Sequence, residues 1–273
     1  MNVGFIGTGN MGRILIEAFL EARVLSPSSM YITNRTIEKA KSIEEKYPNI
    51  QVCLSADELV KYVDYIFICV KPLDIHPLLL RLREQLNENQ CLISITSPIS
   101  VEQIESIVHC QVARVIPSIT NRALSGVSLL TLGDRCKEET KTTIEKMFSA
   151  ISNPIYIENN ITRVASDIVS CGPAFFSFLL QKFVDAAVKE TEISKEQAIQ
   201  LASKMFIGLG KLLESGHYTL PTLQEKVCVK GGVTGEGIKV LESETGELFV
   251  HLFRSTHAKY FEDINEVVEQ FHI

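Results

Sequence analysis

Val3-Gly4-Phe5-Ile6 is a short apolar run that stops at a glycine, and the next six residues are Gly7-Thr8-Gly9-Asn10-Met11-Gly12. A G-x-G-x-x-G pattern carries weight only where a strand leads into it and a helix leaves it. Both conditions hold here. Met11 to Leu20 has helical spacing, with Ile14, Leu15, Ala18 and Phe19 on one face. Strand, glycine turn and helix in that order predict the opening unit of a Rossmann domain. Gly7 permits the tight turn, Gly9 lets backbone approach a pyrophosphate, and Gly12 lets helix and strand pack closely. Thr8, Asn10 and Met11 complete the turn, and the helix N-terminus faces the anionic phosphates.

The first half of the chain continues the alternation. Strands are expected at Tyr31 to Thr33, Val52 to Leu54, Tyr65 to Val70, Cys91 to Ile95 and Val112 to Ile116. The last three are continuous apolar runs, as expected of strands covered on both faces. Helices are expected at Ile37 to Glu45, Ile75 to Gln85 and Val101 to Val108, with a cap at Ser55-Ala56-Asp57-Glu58. Val127 to Leu132 and Ile155 to Ile157 add late strands at the sheet edge. The series predicts an α/β Rossmann domain with a mostly parallel sheet over residues 1–158.

No strand pattern follows Asn159-Asn160. Residues 159–273 read as an all-α C-terminal domain, with helices near Pro173 to Lys189, Lys195 to Ser215 and Gly237 to Phe271, the last broken at Thr245-Gly246. Pro221 and Gly231-Gly232 punctuate them. The helix after Pro173 carries Phe175, Phe176, Phe178, Phe183 and Val184 around most of its circumference. A small helical domain cannot hide that surface alone, so a subunit interface is expected.

The end of the second strand bears on the cofactor. A domain that binds NAD usually places Asp or Glu there to hold the ribose 2′-hydroxyl. This chain has Asn34-Arg35-Thr36 instead. No carboxylate repels a 2′-phosphate, Arg35 offers a charged fork, and Asn34 and Thr36 offer neutral donors. NADPH is therefore expected to bind more tightly than NADH, against the plainer reading of Arg35 as a surface residue beside Glu38.

Composition excludes other classes. The formal net charge is −6 with no run of Lys or Arg, whereas a nucleic-acid partner needs a concentrated basic face. The start has no basic region and too short an apolar stretch for a signal peptide. Ile168 to Leu180 is interrupted and falls short of the roughly 18 apolar residues a membrane span needs. Seven scattered cysteines without a CxxC pair read as reduced thiols of a cytoplasmic protein. His76, His109, His217, His251, His257 and His272 are isolated, and no metal site is expected.

With these residues in view, the chain resembles the pyrroline-5-carboxylate reductases. Phe5 to Gly12, Asn34-Arg35-Thr36, Val70-Lys71-Pro72 and Ile93-Ser94-Ile95 look like that family's cofactor half. Cys171-Gly172-Pro173-Ala174-Phe175, Leu212 to Gly216 and Gly231-Gly232-Val233-Thr234 resemble its helical half. The resemblance covers essentially the whole chain in order. It implies that Val70, Lys71 and Pro72 join the cofactor site, and that residues 159–273 form the substrate and dimerisation domain of a homodimer or a ring of dimers. It also implies that amides of Gly231, Gly232, Val233 and Thr234 hold a substrate carboxylate, with the Thr234 hydroxyl near the reacting ring nitrogen. The expected reaction is NADPH-dependent reduction of a cyclic imino acid, 1-pyrroline-5-carboxylate to proline.

Several motifs depart from the family's pattern. Ser-Gly-Ser-Gly-Pro-Ala-Tyr reads Val169-Ser170-Cys171-Gly172-Pro173-Ala174-Phe175. Met-Pro-Asn-Thr-Pro reads Ile116-Pro117-Ser118-Ile119-Thr120, Ser-Pro-Gly-Gly-Thr-Thr reads Val229-Lys230-Gly231-Gly232-Val233-Thr234, and Val-Lys-Pro-Gln reads Val70-Lys71-Pro72-Leu73. These changes keep a second reading open: a divergent paralogue that binds NADPH, turns over little, and serves a regulatory or binding role. A β-hydroxyacid dehydrogenase is disfavoured, because Cys171 to Ala174 does not match the G-x-x-G-x-x-x-K helix those enzymes use. Cys171, placed just before Pro173, is read as structural rather than as a nucleophile at a helix N-terminus, since no histidine partner is in view.

Overall fold

A computed structural model describes residues 1–271; His272 lies outside them. Eight strands form one sheet: β1 Val3–Ile6, β2 Met30–Thr33, β3 Gln51–Val52, β4 Tyr65–Ile68, β5 Cys91–Ser94, β6 Gln111–Ile116, β7 Val127–Leu132 and β8 Asn153–Tyr156. Their spatial order is β3-β2-β1-β4-β5-β6-β7-β8. Strand order reverses between β1 and β4, which pair in parallel with Val3 opposite Tyr65. Such a reversal opens a crevice at the carboxyl ends of the two strands. Only β7 runs antiparallel to its β6 neighbour. The link from Ile116 to Val127 holds a short 3-10 turn, Ile119–Ala123, and no crossover helix to return the chain for parallel pairing.

Helices α1 Asn10–Glu21, α2 Ile37–Lys46, α3 Ala56–Leu59, α4 Pro72–Leu82, α5 Val101–Glu105 and α6 Glu138–Ser149 flank the sheet. The α6 helix was not expected. Its signal is present in Glu138 and Glu139 in the first turn and in the buried spacing Ile144, Met147, Phe148. On one side of the sheet Phe5 and Phe67 stack with centroids 4.7 Å apart, and Phe148 meets Phe19 edge-on. The other side buries Leu59, Ile66, Ile75, Leu79, Ile104 and Val108. The third strand is shorter than its apolar run, and Leu54 emerges 79% exposed.

The chain divides into two compact units, Met1–Pro173 with the segment from Ser255 onward, and Ala174–Arg254. The change of secondary structure at 158/159 is therefore not the change of packing unit. Residues 159–173 stay with the sheet because Arg114 on β6, itself buried, donates to Asn159 Oδ1 at 2.7 Å and to Thr162 Oγ1 at 2.9 Å. The later segment stays because Tyr260 donates to the Ser97 carbonyl at 3.0 Å and Phe271 packs edge-on against His76.

In this first unit α7, Thr162–Ser166, runs into a π-turn at Asp167–Cys171, where the Gly172 amide reaches the Asp167 carbonyl. Pro173 has no N–H to close an ordinary helical bond onto the Val169 carbonyl. That carbonyl accepts from the Ser118 hydroxyl at 2.6 Å, and the Ser170 hydroxyl donates to the Pro117 carbonyl at 2.8 Å. Cys171 thus lies inside a continuous helical run and has no free helix N-terminus beside it. Burial raises its thiol pKa, against the opposing pull of Arg163.

The second unit takes in most of α8 (Gly172–Glu190), α9 (Lys195–Glu214), α10 (Leu220–Val227) and α11 (Val233–Thr245), and the start of α12, Leu248–Phe271. The α10 helix was also unexpected; Thr219 caps it and Pro221 sits in its first turn. Gly246, at φ +42°, breaks the last helical stretch where the sequence predicted. Phe176, Phe178 and Phe183 are 51%, 60% and 66% exposed. By length and composition the helical run Asn159–Glu190 is apolar enough to cross a membrane.

Candidate functional site

A cleft of about 530 Å³ opens at the strand-order reversal. Gly7 and Gly9 line it from the β1–α1 turn, and Thr33, Asn34, Arg35, Thr36 and Lys39 from the end of β2 and the start of α2. Leu54, Ser55 and Ala56 follow β3, and Val70, Lys71, Asp74, Pro77, Leu78 and Arg81 belong to the β4–α4 segment. Of the residues expected at the cofactor, Gly7, Gly9, Asn34, Arg35, Thr36, Val70 and Lys71 meet here. Lys39, Leu54, Asp74 and Arg81 were not foreseen.

The three motif glycines differ in what requires them. Gly7 has φ +103°, and a Cβ there would lie 2.5 Å from the Cys69 carbonyl oxygen. At Gly12 a Cβ would lie 2.3 Å from the Gly7 carbonyl oxygen. Gly9 is different: a Cβ would meet nothing within 4 Å, and φ is −69°. The protein itself makes no demand for glycine at that position, whereas an anion approaching the turn would.

The turn is held from the second strand. The Gly7 amide donates to the Thr33 carbonyl at 2.9 Å, and the Thr8 amide donates to Asn34 Oδ1 at 3.0 Å. Asn34 Nδ2 donates in turn to the Thr36 carbonyl at 2.9 Å. Asn34 is therefore occupied as a brace of the turn, which sequence reasoning did not anticipate. Asn10, Met11 and Gly12 form the first turn of α1, whose amides have no partner within the helix. No side chain caps that turn and no acid stands in it. The Thr8 hydroxyl is buried without a hydrogen-bond partner. An uncapped helix start, an orphaned hydroxyl and the open space over Gly9 fit a phosphate-bearing ligand. Pro72 does not line the cleft; it starts α4, where its missing N–H costs nothing.

The cleft's ionisable side chains are Arg35, Lys39, Lys71 and Arg81 against a single acid, Asp74. Arg35, expected to offer its guanidinium to a 2′-phosphate, lines the cleft and pairs there with Asp74 at 3.9 Å rather than with Glu38. Arg81 is held by Asp57 at 3.3 Å. Cys69 lies half-buried at the floor, and desolvation raises its thiol pKa well above the ordinary range, which disfavours the thiolate.

Gly231, Gly232, Val233 and Thr234 belong to the second unit. Gly231 turns the chain at φ +75°, and Gly232 is the N-cap of α11. The Gly232 amide already donates to the Val229 carbonyl at 2.9 Å. The amides left at the helix start are those of Val233, Thr234 and Gly235. A Cβ at Gly232 would lie 2.8 Å from the Val229 side chain, so local packing alone requires that glycine. Thr234 is partly buried, and Val233 is 89% exposed.

Among the described residues no group of His, Cys, Asp or Glu is arranged to hold a metal ion. His257 is not isolated: its ring stands 3.5 Å from Asp167, which also pairs with Arg163 at 2.7 Å and accepts from the Thr256 hydroxyl at 2.8 Å.

Residues 159–262 match the family described as pyrroline-5-carboxylate reductase dimerisation, and residues 2–98 match NADP oxidoreductase coenzyme F420-dependent. ComE operon protein 4 of Bacillus subtilis (strain 168) is 60% identical over 273 residues, 100% of either chain. Pyrroline-5-carboxylate reductase 3 of the same organism is 29% identical over 262 residues, covering 94% of this chain and 95% of that one. Pyrroline carboxylate reductase of Plasmodium falciparum, solved with NADP bound, shares the fold with a TM-score of 0.85 at 20% identity over 98% of both chains.

Proposed function

The chain belongs to the pyrroline-5-carboxylate reductase family, on its late-competence (ComER-type) branch, and from that premise we propose an oxidoreductase that uses NADPH to reduce a cyclic imino acid, 1-pyrroline-5-carboxylate to proline. The observation that carries the cofactor half is the cleft at the β1/β4 reversal, with Gly9 open to it and four cations against one acid. When bound, the nicotinamide supplies the hydride. The first turn of α1 and the Thr8 hydroxyl hold the pyrophosphate, Asn34 keeps the turn in place, and Arg35, Thr36 and Lys39 receive the ribose 2′-phosphate. NADPH is expected to bind at least about tenfold tighter than NADH, the scale of one hydrogen bond to a charged group. Isothermal titration with both cofactors checks this, and equal affinities would refute it.

In the second unit, the free amides of Val233, Thr234 and Gly235 offer a carboxylate the positive end of α11. The Thr234 hydroxyl orients the ring nitrogen and passes it a proton from water, being too weak an acid to act alone. Thr234→Val keeps the shape and removes the hydrogen bond. It is expected to lower kcat/KM by about 10- to 100-fold without abolishing turnover. Steady-state NADPH oxidation measures the ratio, and an indifferent variant would place the orienting contact elsewhere. Gly232→Ala makes a poorer probe, because its methyl strains the turn against Val229 with or without substrate.

The exposed phenylalanines of α8 support a homo-oligomer, a dimer or a ring of dimers. Lys182 and Asp185 recur along the same helix, Lys182 Nζ lying 5.4 Å from the Phe178 ring. Those charges favour a protein partner over lipid on that face. A monomeric mass by light scattering would count against the assembly. The seven free thiols fit a reducing, cytoplasmic setting.

One observation favours the second reading, a paralogue that holds NADPH with little turnover. Ser118 and Ser170 stand where the family's usual motifs carry Asn and Gly. The two hydroxyls bind reciprocally, Ser118 to the Val169 carbonyl and Ser170 to the Pro117 carbonyl. Two departures from the family's motifs thus tie the same pair of segments together, each through the backbone carbonyl next to the other serine. A panel of cyclic imines separates the readings: the reductase oxidises NADPH with at least one of them, and the binding protein with none.

A further inference from the structure

Asp74 is the one carboxylate among the ionisable groups lining the cleft. It stands in the first turn of α4 and reaches across to Arg35, Oδ2 to Nη1 at 3.9 Å. Lys39 and Lys71 have no carboxylate within salt-bridge distance among the described residues, and Arg81 is engaged by Asp57, which does not line the cleft. Arg35 is thus the lining cation whose counter-ion sits within the binding space itself. Its side chain is 86% exposed, so only this pair restrains it.

We infer that Asp74 is a specificity-determining residue that holds cofactor selectivity down: it competes with the 2′-phosphate of NADPH for Arg35 and opposes that phosphate's charge. The inference rests on the NADPH reading proposed above. A ligand phosphate that takes up Arg35 must displace Asp74 and then accept a like-charged neighbour. NADH, which has a 2′-hydroxyl at that position, meets neither penalty. Asp74 therefore narrows the margin between the two cofactors that Arg35 would otherwise give.

The test is isothermal titration of the full chain and its Asp74→Asn variant with NADPH and with NADH at low salt, where exposed charges are least screened. Asp74→Asn is expected to bind NADPH about three- to tenfold tighter, the scale of one exposed ion pair together with one relieved repulsion. NADH affinity should move by less than about twofold. In an Arg35→Ala background the NADPH gain should shrink to the part that comes from relieved repulsion, because the competition acts through Arg35, and an undiminished gain would overturn the competition. A thermal melt of each variant confirms that α4 still forms without its first-turn acid. Weakening of both cofactors would overturn the inference and make Asp74 a contact of the shared adenosine. Equal tightening of both, or no change, would overturn it as well. The NADPH reading is judged on the wild-type chain alone. Should wild type bind both cofactors equally while Asp74→Asn gains only NADPH, that reading fails and the role of Asp74 stands.

Discussion

Gly9→Ala is expected to fold as stably as the wild-type protein and to lose NADPH by at least about 100-fold. The two halves of that result have separate causes. The backbone at Gly9, φ −69° and ψ −166°, is open to any residue, and an added Cβ meets nothing within 4 Å. Alanine costs a little as an N-cap and gains a little by restricting the unfolded chain, so the net change stays within about 1 kcal/mol. The methyl would instead stand where a pyrophosphate must come to reach the free amides of α1. Losing two charge-assisted hydrogen bonds, at about 1.5–3 kcal/mol each, gives the stated factor. Gly12→Ala supplies the contrast. Its Cβ would lie 2.3 Å from the Gly7 carbonyl oxygen, a backbone atom that cannot swing aside. That variant should melt lower by at least about 1–3 kcal/mol and lose the cofactor too. Thermal melts and titrations on both variants check the pair. Unchanged NADPH affinity in Gly9→Ala would show that the pyrophosphate does not cross this turn.

Arg163→Met is expected to cost about 3–5 kcal/mol of stability, more than any surface charge in the molecule. Asp167 has a fully buried side chain and takes Arg163 at 2.7 Å, the Thr256 hydroxyl at 2.8 Å and the His257 ring at 3.5 Å. The Arg163 guanidinium also lies 5.3 Å from the Tyr260 ring. Removing the arginine leaves a carboxylate that water cannot reach, with one hydroxyl and one imidazole in place of its closest cation. The loss should appear in urea as a lower midpoint at unchanged slope. Replacing Asp167 together with Arg163 by apolar residues should recover most of it, because the penalty comes from the orphaned charge. A cost below about 1 kcal/mol for Arg163→Met would mean that solvent reaches Asp167.

Much of the first unit was legible in residue order alone. Every expected strand is present, with ends moved by a few residues, because period and turn chemistry act over short stretches. The Gly7–Gly12 turn was legible for the same reason: left-handed φ at Gly7 and the close approach at Gly12 are local demands on side-chain size. The absence of an acid after β2 was equally plain, and so was the break at Gly246. Antiparallel β7 was within reach too, since the Ile116-to-Val127 link is too short for a crossover helix. The α6 helix was hidden because its long polar face dilutes the Ile144, Met147, Phe148 spacing.

What joins distant segments was not legible. Lys39, Leu54, Asp74 and Arg81 share a cleft only because β4 inserts beside β1 and reverses the strand order. Asp167 and His257 are ninety positions apart and meet because the last helix returns to the sheet rather than staying with its neighbours in the chain. Residue order carries the local preferences of backbone and side chain, which steric and hydrophobic patterning over a few residues suffices to express. Which charge answers which other charge depends on burial and on distances of a few ångströms between remote segments, and only the assembled tertiary structure sets those.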